Sequence, residues 1–172
     1  MPNFPSGVAS DENVRVIWVP SIADPAAPKL ATEINAATAV DLTCVLTENW
    51  GPDYSVETSE IRRMCSKTAT QRGGAVTYTF PDFVFAYDSQ AALTTAINAA
   101  YAVLQQGSEG FIVVAYGIHV DTPLAAGDKV DVWNGQVTAG PLKLLPEANS
   151  ELKAKSSVVN IGAPAFDAVL AA

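Results

Sequence analysis

Charged residues are scarce in this chain, at 16% of its 172 residues, where an ordinary soluble domain carries about 25%. Ser, Thr, Asn, Gln, Gly and Ala must therefore cover much of the surface. That points either to extensive burial between subunits or to an Ala-rich monomer. Basic residues are scarcer still. The 10 Lys and Arg face 18 Asp and Glu, for a net charge of −8, and Arg62 with Arg63 is the sole adjacent basic pair. Contacts that neutralise phosphates need Lys and Arg grouped on one face, so this balance argues against a protein that grips nucleic acid. It suits one that lies close to nucleic acid without holding it, because like charges repel. Cysteine is limited to Cys44 and Cys65, too few for a disulfide framework or a Cys-based zinc site. Two free thiols in a reduced compartment are expected. No apolar run approaches the roughly 20 residues of a spanning helix, and the opening Met-Pro-Asn-Phe-Pro-Ser-Gly lacks the basic and apolar regions of a secretory signal. A chain made in the cytoplasm and free of membrane is the expectation.

What is present is an apolar fraction of 49%, ample for one core in a chain of single-domain length. Residues 1–13, with Pro2, Pro5, Gly7, Asp11 and Glu12, read as an N-terminal arm. Arg15 to Val19 reads as a strand stopped by Pro20. Lys29 to Asn35 reads as about two turns of helix after Pro28, and Val40 to Leu46 as the next strand. From Thr47 to Gly74 no period dominates, and connections of that length are rare unless functional or disordered. Trp50, Tyr54 and Met64 make simple disorder a poor account. Either the segment projects and buries these groups against another subunit, or it folds over its own core; Val56 to Ser66 is read as extended or as a short helical turn. Val76 to Phe80 and Phe83 to Tyr87 alternate as strands around Pro81. Ala92, Leu93, Ala96, Ile97, Ala100, Tyr101 and Leu104 recur on one stripe, which predicts a long helix over 89–106 between an Asp88 or Ser89 cap and Gly107. Gly110 to Tyr116, Lys129 to Val137 and Leu152 to Ile161 read as further strands, Leu142 to Leu145 as a short apolar step, and 162–172 as an apolar C-terminal tail. Six or seven strands with one inserted helix predict a mainly β fold over 14–161, an antiparallel β-sandwich or barrel with one long α-helix on its flank and a long projecting loop.

Signals for chemistry are weak. His119 precedes Asp121 and Asp128, which allows a hydrolase reading through His119 and Asp121, but a turn histidine is the better account. Gln71-Arg72-Gly73-Gly74 precedes a strand, so it is read as a turn and not an anion cradle. Asp131, Glu147 and Glu151 are scattered carboxylates, and Cys44 is expected as inert packing within a strand. No elbow, phosphate loop or paired-histidine motif is visible. The expectation is a protein that is not an enzyme, with no cofactor and no metal.

Val-Arg-Val-Ile-Trp-Val at 14–19, the stretch after Pro28 leading into Asp41-Leu-Thr-Cys-Val-Leu46, the long loop, the helix before Gly110-Phe-Ile-Val-Val, and Lys129-Val-Asp-Val-Trp133 together resemble the major tail proteins of actinobacterial siphophages. The resemblance runs in order and spacing over about residues 13–160. It implies a subunit that forms homohexameric rings stacked into a tail tube, meeting other tail proteins at the tube ends. Each copy would lend strands to one inner barrel, whose centre is an aqueous channel once roughly 16 strands are shared, and DNA would pass through it without specific binding. Shared strands would remove exposed margins, and ring-on-ring stacking, which does not close, would yield a filament. The virion would be its destination, after assembly in the host cytoplasm. The long loop would reach a neighbour, giving Trp50, Tyr54, Arg62, Arg63 and Met64 as inter-subunit contacts, and the chain ends, 1–13 and about Ser150 to Ala172, would bridge adjacent rings. The alternative is a virion decoration or receptor-binding β-sandwich domain.

Overall fold

A computed structural model of the chain describes residues 7, 9–47, 50–65 and 67–172. Nine strands are seen among them: β1 Val14–Val19, β2 Val40–Asp41, β3 Asp53–Ile61, β4 Thr70–Thr79, β5 Phe83–Ala86, β6 Glu109–Tyr116, β7 Lys129–Lys143, β8 Lys153–Asn160 and β9 Ala165–Val169. The chain is mainly β, with 43% strand and 8% helix, and its main sheet curls into an antiparallel half-barrel. Strand order is β2-β1-β6-β7-β8-β5, with β9 also on β7, while β3 and β4 form a separate two-stranded sheet. Of the expected sandwich or barrel, the sheet follows the barrel in part, as a curled half-barrel with a separate hairpin beside it.

Two apolar layers explain why the strands read as uninterrupted apolar runs. Val16, Trp18, Ile112, Val114, Trp133 and Val137 bury one face of the sheet together with Leu42, Phe83, Phe85 and Leu104. Ile17, Val19, Val113, Ala115, Val130 and Val132 bury the other, under Ile22, Ile34, Leu124 and Leu170. Successive strand residues point to opposite faces, so a strand covered on both must be apolar at every position. Gly110 lets β6 pass close to β1: a Cβ there would lie 2.7 Å from the Trp18 indole.

The sheet's margins are joined by one segment. Val40 and Asp41 pair with Trp18 and Ile17 at one margin. A turn later, Ala86 donates to the Val45 carbonyl (2.9 Å) and Thr47 to the Val84 carbonyl (3.0 Å) at the other. The four residue steps from Asp41 to Val45 span at most about 14 Å, so the margins must approach each other closely, which is what curls the sheet. The strand expected over 40–46 is therefore two short pieces around a turn, and Cys44 lies exposed in that turn rather than packed inside a strand.

The long helix expected over 89–106 is absent; eight residues are helical, a 3-10 turn Ala96–Asn98 running into α1, Ala99–Val103. Asn98 is the cause. Its buried side chain accepts from the Asp88 amide (2.9 Å) and donates to the carbonyls of Asp88, Ala91 and Ala92. Side-chain bonds of this kind compete with a helical ladder and favour the turn. Ala92, Leu93, Ala96 and Ile97, four of the seven residues of the predicted stripe, are exposed. The two turns expected at 29–35 are a single π-helical turn, Leu30–Ile34. The first two residues of the step at 142–145 are the end of β7, which runs to Lys143. The stretch 162–172 carries β9, which pairs Val169 with Lys129 and Ala165 with Val132 on β7. At the other terminus, residues 1–6 and 8 of the arm lie outside the described residues, while Asn13 and Glu12 accept from the amides of Gly117 and Val120 (2.7 and 2.8 Å).

Candidate functional site

The segment 47–74, expected as an irregular loop, is for the most part a β-hairpin. Asp53 to Ile61 pair antiparallel with Thr79 to Thr70, with a bulge between Val56 and Thr58. Gln71 to Gly74 lie inside β4 and form no turn. Glu48, Asn49 and Ser66 lie outside the described residues. All nine residues of β3 are exposed, and β4 is exposed except at Tyr78. Neither outer margin of the hairpin pairs with another described strand. A lone two-stranded ribbon is marginal in water, and unpaired margins are templates for another chain.

At its root the hairpin is anchored by aromatic rings. Tyr78 meets Trp133 edge-on at 5.3 Å, and Phe80 meets it at 5.8 Å. Trp50 stacks on Phe83 at 4.6 Å and donates its indole N–H to the Pro81 carbonyl (3.1 Å), so it is set into its own subunit. The other four predicted contact residues stand free on the ribbon: Tyr54 is 66% and Met64 110% exposed, and Arg62 and Arg63 are exposed beside Met64 in the loop at the tip.

Beside the root lies a groove of about 460 Å³ bordered by Asp53, Tyr54, Tyr116, Asp131, Trp133 and Phe166. Burial, and then the Asp131 charge, push the Tyr116 phenol above its ordinary value of 10.0, so it stays a neutral donor. Asp131 accepts from the Asp167 amide (2.9 Å). Trp133 is 4% exposed, yet its indole N–H has no acceptor. Sequence reasoning missed this groove, although the apolar character of 162–172, which brings Phe166, was the available signal.

The structure does not assemble a reactive centre from the remaining candidates. His119 sits exposed in a turn, 3.3 Å from Glu12 and 3.8 Å from Asp121. Glu147 lies 3.9 Å from Lys153. Among the described residues no group of three or more His, Cys, Asp or Glu is placed to hold a metal ion, and Cys44 and Cys65 are free and exposed.

A closed apolar body carrying an uncovered ribbon is the form expected of a structural subunit completed by assembly. A family profile for phage tail tube proteins matches residues 1–172, and the chain belongs to that family. No curated protein matches it. It is a structural component of the phage tail within the virion.

Proposed function

We propose that this chain forms hexameric rings that stack into the tail tube of a long-tailed actinobacterial phage, around a channel through which DNA passes without being held. It would be made and assembled in the host cytoplasm, without membrane, cofactor or catalysis, and meet other tail proteins only at the tube ends. The observation that carries this reading is β3, exposed along its whole length and paired only to β4. Its margin and its apolar groups find cover in neighbouring copies. Tyr54, Arg62, Arg63 and Met64 are the contacts that meet the neighbour, and Trp50 contributes by bracing the ribbon's root. The terminal regions, 1–13 and about 150–172, add contacts between rings. The net charge of −8 supports a wall that repels DNA and lets it slide.

The test is electron microscopy of the purified protein beside a variant in which residues 57–75 are replaced by Asn-Gly, a two-residue turn that joins the partners Val56 and Val76. The intact chain should give rings or tubes of one diameter with sixfold symmetry, and the trimmed chain soluble monomers. Tubes of normal diameter from the trimmed chain would remove the hairpin from the assembly. Fixed isolated trimers from the intact chain would favour a decoration or receptor-binding module instead.

A further inference from the structure

We infer that the hairpin tip of one copy docks into the aromatic groove at the hairpin root of the next copy, with Met64 entering between Tyr116 and Phe166 and Arg62 and Arg63 meeting Asp53 and Asp131. This rests on the self-assembly proposed above and names its lock and key.

Charge supplies the first argument. In a chain of net charge −8, the stretch 61–72 holds Arg62, Arg63, Lys67 and Arg72 and no acid, whereas the groove is bordered by Asp53 and Asp131 with no base. Opposite patches of this kind select partners and speed their encounter. Shape and chemistry supply the second. Met64 is the most exposed large apolar side chain among the described residues, and a thioether fits favourably against aromatic rings. Phe166, 52% exposed, and Tyr116 offer such rings. Reach supplies the third. The groove includes Asp53 and Tyr54 at the root of β3, and the tip lies beyond nine residues of strand, about 30 Å away. A tip therefore cannot fill its own groove; the occupant must come from another copy. The contact joins two different surfaces, so it propagates from copy to copy.

Cys65, exposed beside Met64, makes the contact testable by crosslinking. In a Cys44→Ser background, Phe166→Cys should place a thiol opposite Cys65 of the next copy. Mild oxidation of assembled protein should then give a ladder of covalent multimers that collapses on reduction. Adding Cys65→Ser should leave nothing larger than dimers. Tubes that form normally yet give no species beyond dimers would overturn the docking while leaving the tube reading intact; failure of the unsubstituted chain to assemble at all would count against the tube itself. Should Phe166→Cys fail to assemble, a charge-swap mixture decides. Arg62→Glu/Arg63→Glu protein and Asp53→Lys/Asp131→Lys protein should each stay unassembled alone and should form tubes when mixed, alternating along the stack. Folded variants that assemble alone, or that remain inert when mixed, would sink the assignment.

Discussion

Strands β6 and β3 are of similar length and sit in the same chain, yet five of the eight residues of β6 are buried and none of the nine of β3. β6 is held between β1 and β7 with an apolar layer on each face. β3 has one partner and no layer. The body can account for its own stability; on the assembly proposed above, the ribbon is completed by a second copy. Stability and assembly are thereby divided between different residues, and substitutions should separate them.

The largest contrast is expected between Phe85→Ala and Val56→Ala. Phe85 is fully buried in the body, and removing such a ring costs about 3 to 5 kcal/mol. Val56 lies on the ribbon, where truncation should change the monomer by less than about 0.5 kcal/mol. Urea titrations of unassembled protein measure both. Comparable losses would mean that the ribbon folds against the body in solution.

The same contrast decided what the sequence could show. Periodicity reports which faces are covered. Val-Arg-Val-Ile-Trp-Val and Phe-Ile-Val-Val are covered on two faces, and their positions in β1 and β6 were legible as apolar runs. Asp53-Tyr-Ser-Val-Glu-Thr-Ser-Glu-Ile is covered on neither, so no period marks it, and although it is the whole of β3 it read as part of a long loop, with an extended stretch or a helical turn from Val56 left open. The length of 47–74 and its aromatic and methionine content marked the segment as one needing explanation; its strand pairing was not legible. The groove was illegible for a different reason, since it joins Asp53, Tyr116, Asp131 and Phe166 from four strands that only the folded sheet brings together. At 89–106 a true apolar period was overruled by a single polar side chain, which no count of apolar positions would weigh.

That side chain gives an intermediate effect. Asn98→Ala would leave the Asp88 amide and three carbonyls without their present partner. Water can reach the exposed turn at 88–92 and satisfy part of the loss, so a cost of about 2 kcal/mol is expected, within the range for a buried polar group left unpaired. The melting temperature of unassembled protein should fall, with assembly at low temperature retained because the ribbon is untouched. A more stable Asn98→Ala protein would show that the 88–98 turn is strained and that a longer helix was available.

The smallest effect concerns acid and the two margins of the curled sheet. Burial raises the Asp41 carboxyl, but hydrogen bonds from Thr43 and Arg15 (2.7 Å) outweigh it and hold the group below its ordinary 3.8. The Ser157 hydroxyl (2.6 Å), opposed by burial and aided by Lys155, does the same for Asp82. Asp41 fastens β2 to β1, and Asp82 fastens the start of β5 to β8, so each pins one margin. A carboxyl whose folded pKa is depressed stabilises the fold fully above its unfolded value, and that stability is lost as pH falls from about 3.8 through the lower folded value. Unassembled protein should therefore hold a level stability from pH 7 to about 5 and lose it below 4. Asp82→Asn should be the weaker protein at pH 7 and should draw level with the unsubstituted chain in acid, because protonation removes from one what substitution has already removed from the other. A gap that stays constant down to pH 3 would mean that Asp82 acts through shape alone, and that the β5 margin is held by the 45–47 segment rather than by charge.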